Sequence, residues 1–541
     1  MTPKRLIAVI VSLTMCIVMG AQIRFTPNPA MPLPDNIKLY FNSSTDYSGR
    51  FSFMQPVWFI WADGPCTAEE AETLVDRMGL NSTLKDYVGM MVVVFSPVNG
   101  KDYSAKEDFQ VYKSFFERIR VFTNLKVVGI GKGATFVNQC IAPVAYEVAD
   151  ILSIDGKPAK KIEGTATVPA YIAGKNAAKV AKAYIARNSD KAKEEPLLKV
   201  IVNPGKASLE EIVADAWDKL LSQNYRCSNL GHTGYMGGLL GQYGDYELEP
   251  YPIWERLGLE KIMVEKSLFK YNGREEKYLW YEYVPASMKD APSHSVPLVI
   301  LLHGHNNDPR TQAETSGFPE LGAQEGFMVA ELEWQGKSGA YDYMGDHGIE
   351  AVVLELLKKY PQLDPSRVYA QGLSAGGFTA TAIGITKSHL FAAVGAHSGG
   401  LYNEGLFLGF PFANPASLKA QAAQKSGKVQ MPYFSITGTA DDAVPYGPLI
   451  WDAWNLYQVL NGIPVEGDGS QKNKHRVETV KGHAMEIGDF LNADGLPVIR
   501  TVAVENFGHW NFVPGAREMW NFFKMWARDP ETGESLFICA Q

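Results

Sequence analysis

The stretch Arg367-Val-Tyr-Ala-Gln-Gly-Leu-Ser-Ala-Gly-Gly377 decides how the second half of this chain is interpreted. The run before Gly372 is typical of a buried strand, and a helix is predicted after Ser374. Gly372-Leu-Ser-Ala-Gly376 fits the pattern Gly-x-Ser-x-Gly, in which the serine occupies a strained turn between strand and helix. Side chains two residues to either side would clash where strand and helix approach. The pattern therefore predicts an exposed serine hydroxyl at the start of a helix.

A serine hydroxyl is a weak nucleophile unless a base and an orienting acid act on it. Two later strands, predicted at 431–436 and 498–504, run into loops that carry Asp441 and His509. We predict Asp441 as the acid and His509 as the base, with Asp442 as the alternative acid. His397 also lies at a strand end near the serine, but the chain order Ser, Asp, His disfavours it.

The negative oxygen that forms during acyl transfer needs two N–H donors. One is expected from Ala375, directly after the predicted nucleophile. The other is expected from the loop that follows the apolar run 296–302, where Gly304 lets the backbone turn inward and His305 supplies the favoured N–H.

The motifs around these residues resemble the polyhydroxybutyrate depolymerase-like esterases, a group that also includes secreted feruloyl and acetylxylan esterases. The resemblance covers roughly residues 263–530. It implies an α/β-hydrolase fold and serine carboxylesterase chemistry with no metal and no cofactor. His305 and Asn307 depart from the pattern, since many members carry Cys and Gln there. The matching segments are Asp364 to Gly377, Leu390 to Val394 with Ser398-Gly-Gly400, Gly438-Thr-Ala-Asp441 with Val444-Pro445, and Gly508-His509-Trp510 with Pro514-Gly515.

The first half repeats the alternation of short apolar strands and helices, which predicts a mostly parallel sheet with helices on both faces. It aligns with the second half, but Gly131 stands where the serine should be, Ala177 replaces the acid, and Val202-Asn-Pro-Gly205 fills the histidine loop. We therefore predict two tandem copies of one fold, the first without a triad. A dinucleotide-binding unit is the weaker alternative, because its third glycine would have to stand where Ala134 does.

The predicted organisation has four parts. Lys4-Arg5, an apolar run and Gly20-Ala21 predict a signal peptide over residues 1–21, with an uncleaved anchor as the alternative. Residues 22–225 form the degenerate domain, 226–262 a glycine-rich linker, and 263–541 the catalytic domain. The protein is therefore expected to be secreted or periplasmic, with no membrane association after signal removal.

Composition excludes some partners and leaves other properties open. The net charge is -8 and no basic run occurs, so nucleic acid is not an expected partner. No Cys/His cluster has zinc spacing. Export permits disulfides, but the sequence does not determine the pairing of Cys66, Cys140, Cys227 and Cys539.

The predicted activity is hydrolysis of feruloyl or acetyl esters of plant cell-wall polysaccharide. Trp334 and Trp510, together with Trp451 and Trp454, could stack on a sugar or feruloyl ring, or could pack the core. A polyester substrate is the alternative within the same chemistry. A serine peptidase is less favoured, as is a binding protein whose triad is vestigial.

Overall fold

The structure is a computed structural model that describes residues 26–27, 33–41, 56–84, 90–119, 124–159, 164, 166–228, 246–271, 273–305, 307, 309–336, 341–403 and 409–538. The predicted signal peptide (1–21) and Cys539 lie outside these ranges. Within them, no helix is both long enough and apolar enough to cross a membrane. Cys66 and Cys140 are free thiols.

The first half is built on an eight-stranded sheet whose neighbours follow the order β1-β2-β4-β3-β5-β6-β7-β8. The strands from β3 to β8 pair in parallel, and β2 joins β4 antiparallel at one side. The strands are β1 (Thr26–Pro27), β2 (Ile37–Phe41), β3 (Val57–Trp61), β4 (Met91–Phe95), β5 (Leu125–Ile130), β6 (Val148–Ile154), β7 (Ala170–Ala173) and β8 (Val200–Asn203).

Both faces of this sheet are buried, which is why its central strands are continuous apolar runs rather than alternating ones. Phe59 and Trp61 of β3 pack on one face, with the helices 107–119 and 177–188. Trp58 and Ile60 point the other way, toward the helices 68–77 and 209–216.

The segment predicted as a linker contains ordered strands, and its role as a linker stays a prediction. β9 (Asn224–Ser228) and β10 (Tyr246–Pro250) form an antiparallel pair, and β11 begins at Leu259, inside the predicted linker 226–262. Glycine density predicts turns, but it does not report the strands that flank them.

Buried charges attach β9 to the first half. Lys126 Nζ lies 2.6 Å from Asp150 Oδ2 with both side chains fully buried, and it also donates to the Asn224 carbonyl at 2.7 Å. Arg226 Nε donates to the Val148 carbonyl at 3.0 Å. Removing one partner would leave a buried charge uncompensated, which is strongly destabilising. On the far side, Lys481 of the second half pairs with Glu249 of β10.

The second half contains a ten-stranded sheet in the order β11-β12-β14-β13-β15-β16-β17-β20-β19-β18. The run from β14 to β20 is parallel, and the outer strands on both sides are antiparallel. The strands are β11 (Leu259–Tyr271), β12 (Arg274–Pro285), β13 (Val296–Leu302), β14 (Met328–Leu332), β15 (Leu363–Leu373), β16 (Ala393–His397), β17 (Tyr433–Gly438), β18 (Lys474–Val480), β19 (His483–Leu491) and β20 (Pro497–Val504), with a C-terminal pair β21 (Trp526–Arg528) and β22 (Ser535–Phe537).

Helices connect the strands in both halves. The first half contains α1 (Ala68–Arg77), α2 (Leu80–Thr83), α3 (Glu107–Ile119), α4 (Lys132–Phe136), α5 (Ala177–Asn188) and α6 (Leu209–Ala216). The second contains α7 (Pro309–Ser316), α8 (Phe318–Glu325), α9 (Gly345–Lys359), α10 (Ala375–Thr386), α11 (Pro415–Lys425), α12 (Pro448–Leu460) and α13 (Pro514–Phe523).

The two sheets share one strand order. β2-β4-β3-β5-β6-β7-β8 in the first half matches β12-β14-β13-β15-β16-β17-β20 in the second, with the same pattern of parallel and antiparallel neighbours. This agreement supports the hypothesis of two tandem copies, which stays a prediction.

The register of the second sheet brings the strand ends to one edge. Leu302 pairs with Gly372, Leu373 with His397, and Gly438 with Val504. The carboxyl ends of β13, β15, β17 and β20 therefore meet, and ligands bind in α/β sheets at such an edge.

Candidate active site

Ser374 lies between β15 and α10 with φ 56° and ψ -122°. Non-glycine residues rarely adopt positive φ, and such strain costs about 1–3 kcal/mol. The motif glycines have a direct steric explanation. A Cβ on Gly372 would stand 2.4 Å from the Gly376 carbonyl carbon, and one on Gly376 would stand 1.9 Å from the Leu302 carbonyl oxygen. Helix and strand can approach this closely only without those side chains.

Asp441 and His509 are hydrogen-bonded at the same edge of the sheet. His509 Nδ1 lies 2.9 Å from Asp441 Oδ2 and 3.0 Å from Oδ1. The Asp441 side chain is fully buried, and its Oδ1 also accepts the backbone N–H groups of Ala443 and Val444 at 3.0 and 2.7 Å. An ionised carboxylate only accepts hydrogen bonds, so the proton of neutral His509 sits on Nδ1 and its Nε2 carries none. Asp442, the alternative acid, is exposed.

His397 connects the turn at Ser374 to the loop that carries His509. Its carbonyl accepts the Ser374 N–H at 2.9 Å, and its ring Nε2 accepts the Phe512 N–H at 2.8 Å. Phe512 follows His509 by three residues. The backbone carbonyl of His397 therefore holds the turn at Ser374, and its ring holds the loop that carries His509. This role was missed from the sequence, where the only signal was the position of His397 at a strand end near the serine.

Burial, and secondarily the neighbouring His509, lowers the pKa of His397 from 6.5 to about 3. The folded protein therefore keeps this ring neutral in weak acid, whereas the unfolded chain takes up a proton near pH 6.5. Between pH 6.5 and about 3 the chain takes up a proton when it unfolds. The free energy of unfolding therefore falls as the pH drops through that window.

We expect His397→Gln, which keeps an acceptor for the Phe512 N–H, to flatten this dependence. Between pH 7 and 5 the wild-type protein should lose about 2 kcal/mol more stability than the variant, from the same linkage. Denaturant unfolding of both proteins at the two pH values measures the difference. Equal losses in both would show that His397 does not titrate in this way.

Ala375 is the first predicted oxyanion donor, and that role stays a prediction. Ala375 is the first residue of α10, where backbone N–H groups have no acceptor within the helix. The His303-Gly304 turn lies against Ser374, because a Cβ on Gly304 would stand 3.5 Å from the Ser374 Cβ. His305 is exposed, and its N–H as second donor remains a prediction.

The tryptophans lie deeper than the sequence suggested. Trp334 has no exposed surface; its Nε1–H donates to the His303 carbonyl at 3.0 Å and its ring packs on Phe410. This burial fits the alternative of core packing, and a substrate contact of Trp334 stays a prediction. Trp510 is 5% exposed and Trp454 1%, which fits the alternative of core packing. A substrate contact of Trp510 stays a prediction.

The first half keeps the same turn without a nucleophile. Gly131 has φ 54° and ψ -111°, close to the values of Ser374, and its N–H donates to the Ile154 carbonyl at 2.8 Å as Ser374 does to His397. The Lys132 N–H, equivalent to that of Ala375, donates to Asp63 Oδ1 at 2.7 Å. A carboxylate of the protein itself thus accepts this N–H in the first half.

Gly131→Ala should destabilise the first half. The added Cβ would meet Asp63 Oδ1 at 1.9 Å in a backbone conformation that L-residues rarely adopt. We expect a loss of about 1–3 kcal/mol, measured by denaturant unfolding, with hydrolysis by the second half unchanged. Gly100→Ala is the control, since Gly100 also has positive φ but no atom within 4 Å of the new Cβ. If the control loses as much stability as Gly131→Ala, the contact with Asp63 has no role.

Within the described ranges, no group of three or more His, Cys, Asp or Glu side chains is placed to hold a metal ion.

Two family models match the second half. Residues 281–407 match the family described as Esterase PHB depolymerase, and residues 346–489 match the prolyl oligopeptidase family. Both spans include Ser374, the first also includes Gly304, and the second also includes Asp441. The fold class is that of the α/β-hydrolases, and the resemblance to polyhydroxybutyrate depolymerase-like esterases is confirmed.

The chain is also similar to curated proteins and to solved structures. Poly(3-hydroxyalkanoate) depolymerase C of Paucimonas lemoignei is 25% identical over 248 residues, covering 42% of this chain and 57% of the relative. The bifunctional acetylxylan esterase/xylanase XynS20E of Neocallimastix patriciarum is 25% identical over 250 residues, covering 46% of this chain and 33% of the relative. The chain thus spans between a third and three fifths of the length of these relatives. The acetyl xylan esterase from Aspergillus awamori aligns with a TM-score of 0.36 at 17% identity, over 49% of this chain and 99% of that one.

Proposed function

We propose that the protein is a serine carboxylesterase in which Ser374, Asp441 and His509 act as a catalytic triad. The observation that carries this proposal is the buried Asp441–His509 pair at the sheet edge where Ser374 occupies a strained turn. The family model for Esterase PHB depolymerase supports the same chemistry.

In the first step, His509 Nε2 takes the hydroxyl proton of Ser374 as Oγ bonds to the ester carbonyl carbon. The carbonyl π electrons move to oxygen, and the N–H groups of Ala375 and His305 stabilise that charge. When the intermediate collapses, the C–O bond to the alcohol breaks and His509 gives its proton to the departing oxygen. The acyl group stays on Ser374.

In the second step, water replaces the alcohol. His509 takes a proton from the water as its oxygen bonds to the acyl carbon, and the bond to Ser374 Oγ then breaks. His509 returns the proton to Oγ, and the carboxylic acid leaves. Asp441 stays ionised throughout and stabilises the imidazolium that forms in each step.

The substrate that we propose is a feruloyl or acetyl ester of plant cell-wall polysaccharide, with the enzyme acting outside the cytoplasm. Acetylxylan esterase among the relatives supports this class, and the N-terminal segment supports export. The poly(3-hydroxyalkanoate) depolymerase among them supports polyester as the alternative. The first half is proposed to be a degenerate copy of the same fold.

A serine peptidase is the second candidate, because residues 346–489 match the prolyl oligopeptidase family. The triad chemistry alone does not separate esters from amides. A binding protein with a vestigial triad is less well supported, since the Asp441–His509 pair is intact.

Two experiments separate these possibilities. A fluorophosphonate probe should label Ser374 in the full chain, and absence of labelling would overturn the triad. A panel of feruloyl, acetyl-xylan, hydroxybutyrate and peptide substrates then identifies the class. We expect hydrolysis of feruloyl or acetyl esters to be fastest; faster cleavage of the peptides would favour the second candidate.

A further inference from the structure

Two neighbouring side chains after β14 hold the turn that lies against Ser374. Trp334 Nε1–H donates to the His303 carbonyl at 3.0 Å, and Gln335 Nε2 donates to the Gly304 carbonyl at 3.2 Å. Trp334 is fully buried and Gln335 is 5% exposed. Both side chains therefore act on the backbone of the turn, from within the protein.

The Gly304 carbonyl accepts more than one donor. His303 Nδ1 lies 2.8 Å from it, so that nitrogen carries a proton, and the Asn307 N–H donates to it at 3.2 Å. Glu333 is part of the same assembly, since its Oε1 accepts the Gly336 N–H at 3.1 Å and lies 3.6 Å from His303 Nε2. Together these contacts fix the direction of one carbonyl group.

The direction of that carbonyl sets the direction of the next N–H. In a trans peptide the C=O of Gly304 and the N–H of His305 point to opposite sides. The carbonyl faces the buried side chains of His303 and Gln335, so the His305 N–H faces away from them. A Cβ on Gly304 would be 3.5 Å from the Ser374 Cβ, so this peptide lies beside the nucleophile.

We infer that Gln335 is a positioning residue of the oxyanion hole, which orients the Gly304–His305 peptide so that its N–H faces the oxygen that becomes charged. This inference rests on the proposed esterase function. Gln335 acts through the peptide and not on the substrate. Its loss should therefore reduce kcat and leave KM nearly unchanged, because a misdirected donor weakens stabilisation of the transition state only.

Two variants, which disturb the Gly304 carbonyl to different degrees, test the inference. Gln335→Glu replaces a donor with a carboxylate that repels the Gly304 carbonyl oxygen, and Gln335→Met keeps the length without any donor. Loss of a direct oxyanion donor costs about 10²–10³ in kcat, so an indirect effect of about 10–100-fold is expected for Gln335→Glu and less for Gln335→Met. Gln424→Glu, the same change on the exposed face of α11, is the matched control and should behave as wild type.

The measurements are kcat and KM for p-nitrophenyl acetate, and the affinity of an aryl trifluoromethyl ketone, which forms an oxyanion on the serine. The ketone should bind Gln335→Glu more weakly by the same factor by which kcat/KM falls. A folded Gln335→Glu protein with unchanged kcat, or with a raised KM and unchanged kcat, would overturn the inference. Failure of the proposed function gives a different result, because then wild type and Ser374→Ala would hydrolyse the ester equally.

Discussion

Ser374→Ala is expected to lower kcat/KM for short aryl esters by about 10⁴–10⁶, the range seen when a triad nucleophile is removed. Alanine retains the Cβ but removes the oxygen that must bond to the carbonyl carbon, so no acyl-enzyme can form. The residual rate comes from direct attack of water on the ester, with the oxyanion donors still stabilising the charge on the carbonyl oxygen. Steady-state hydrolysis of p-nitrophenyl acetate by the full chain measures the loss, and labelling by a fluorophosphonate should disappear with it.

The matched control is Ser417→Ala, which makes the same chemical change at an exposed position of α11. This variant should retain wild-type kinetics. The triad assignment fails if Ser374→Ala keeps a substantial part of the activity while its thermal unfolding matches that of wild type.

Asp441→Asn should lower kcat by about 10⁴ with little change in structure. The amide can still accept the N–H groups of Ala443 and Val444, which hold this side chain in place. Its NH₂ group, however, would face His509 Nδ1 and favour the tautomer in which Nδ1 accepts and Nε2 carries the proton. A ring in that tautomer cannot take the proton of Ser374.

Asp442→Asn provides a control one residue along the chain. Asp442 is exposed, so the same change there should alter kcat by less than about threefold, as for most surface sites. Parallel measurement of kcat for both variants, each with its melting temperature, decides the assignment. A larger loss in Asp442→Asn than in Asp441→Asn would transfer the role of the acid to Asp442.

The first half contains a turn of similar backbone conformation that carries no serine. Gly131 has dihedral angles close to those of Ser374, and the Lys132 N–H donates to Asp63. The N–H groups at the start of a helix favour an anion whatever its source. Here the Asp63 carboxylate accepts the Lys132 N–H.

Much of this protein could be predicted from its sequence because the relevant forces are local. The strand, turn and helix around Ser374 depend on residues within a few positions of each other, and the glycine requirement follows from backbone sterics. Apolar runs revealed the parallel strands because a strand buried on both faces has no polar alternation. Asp441 and His509 could be predicted as partners of Ser374 because each follows a strand, in the chain order Ser, Asp, His, and the ends of parallel strands meet at one edge of a sheet.

Only the tertiary structure decided how distant groups are held. Ring Nε2 of His397 accepts from Phe512, and Gln335 donates to Gly304, yet no periodicity or motif reports either contact. Trp334 shows why a local pattern is not sufficient, since an aromatic residue after a strand can either stack on a substrate or pack inside the protein. Burial and hydrogen-bond partners depend on which elements pack together. That packing depends on the whole chain, and a local pattern of residues does not contain it.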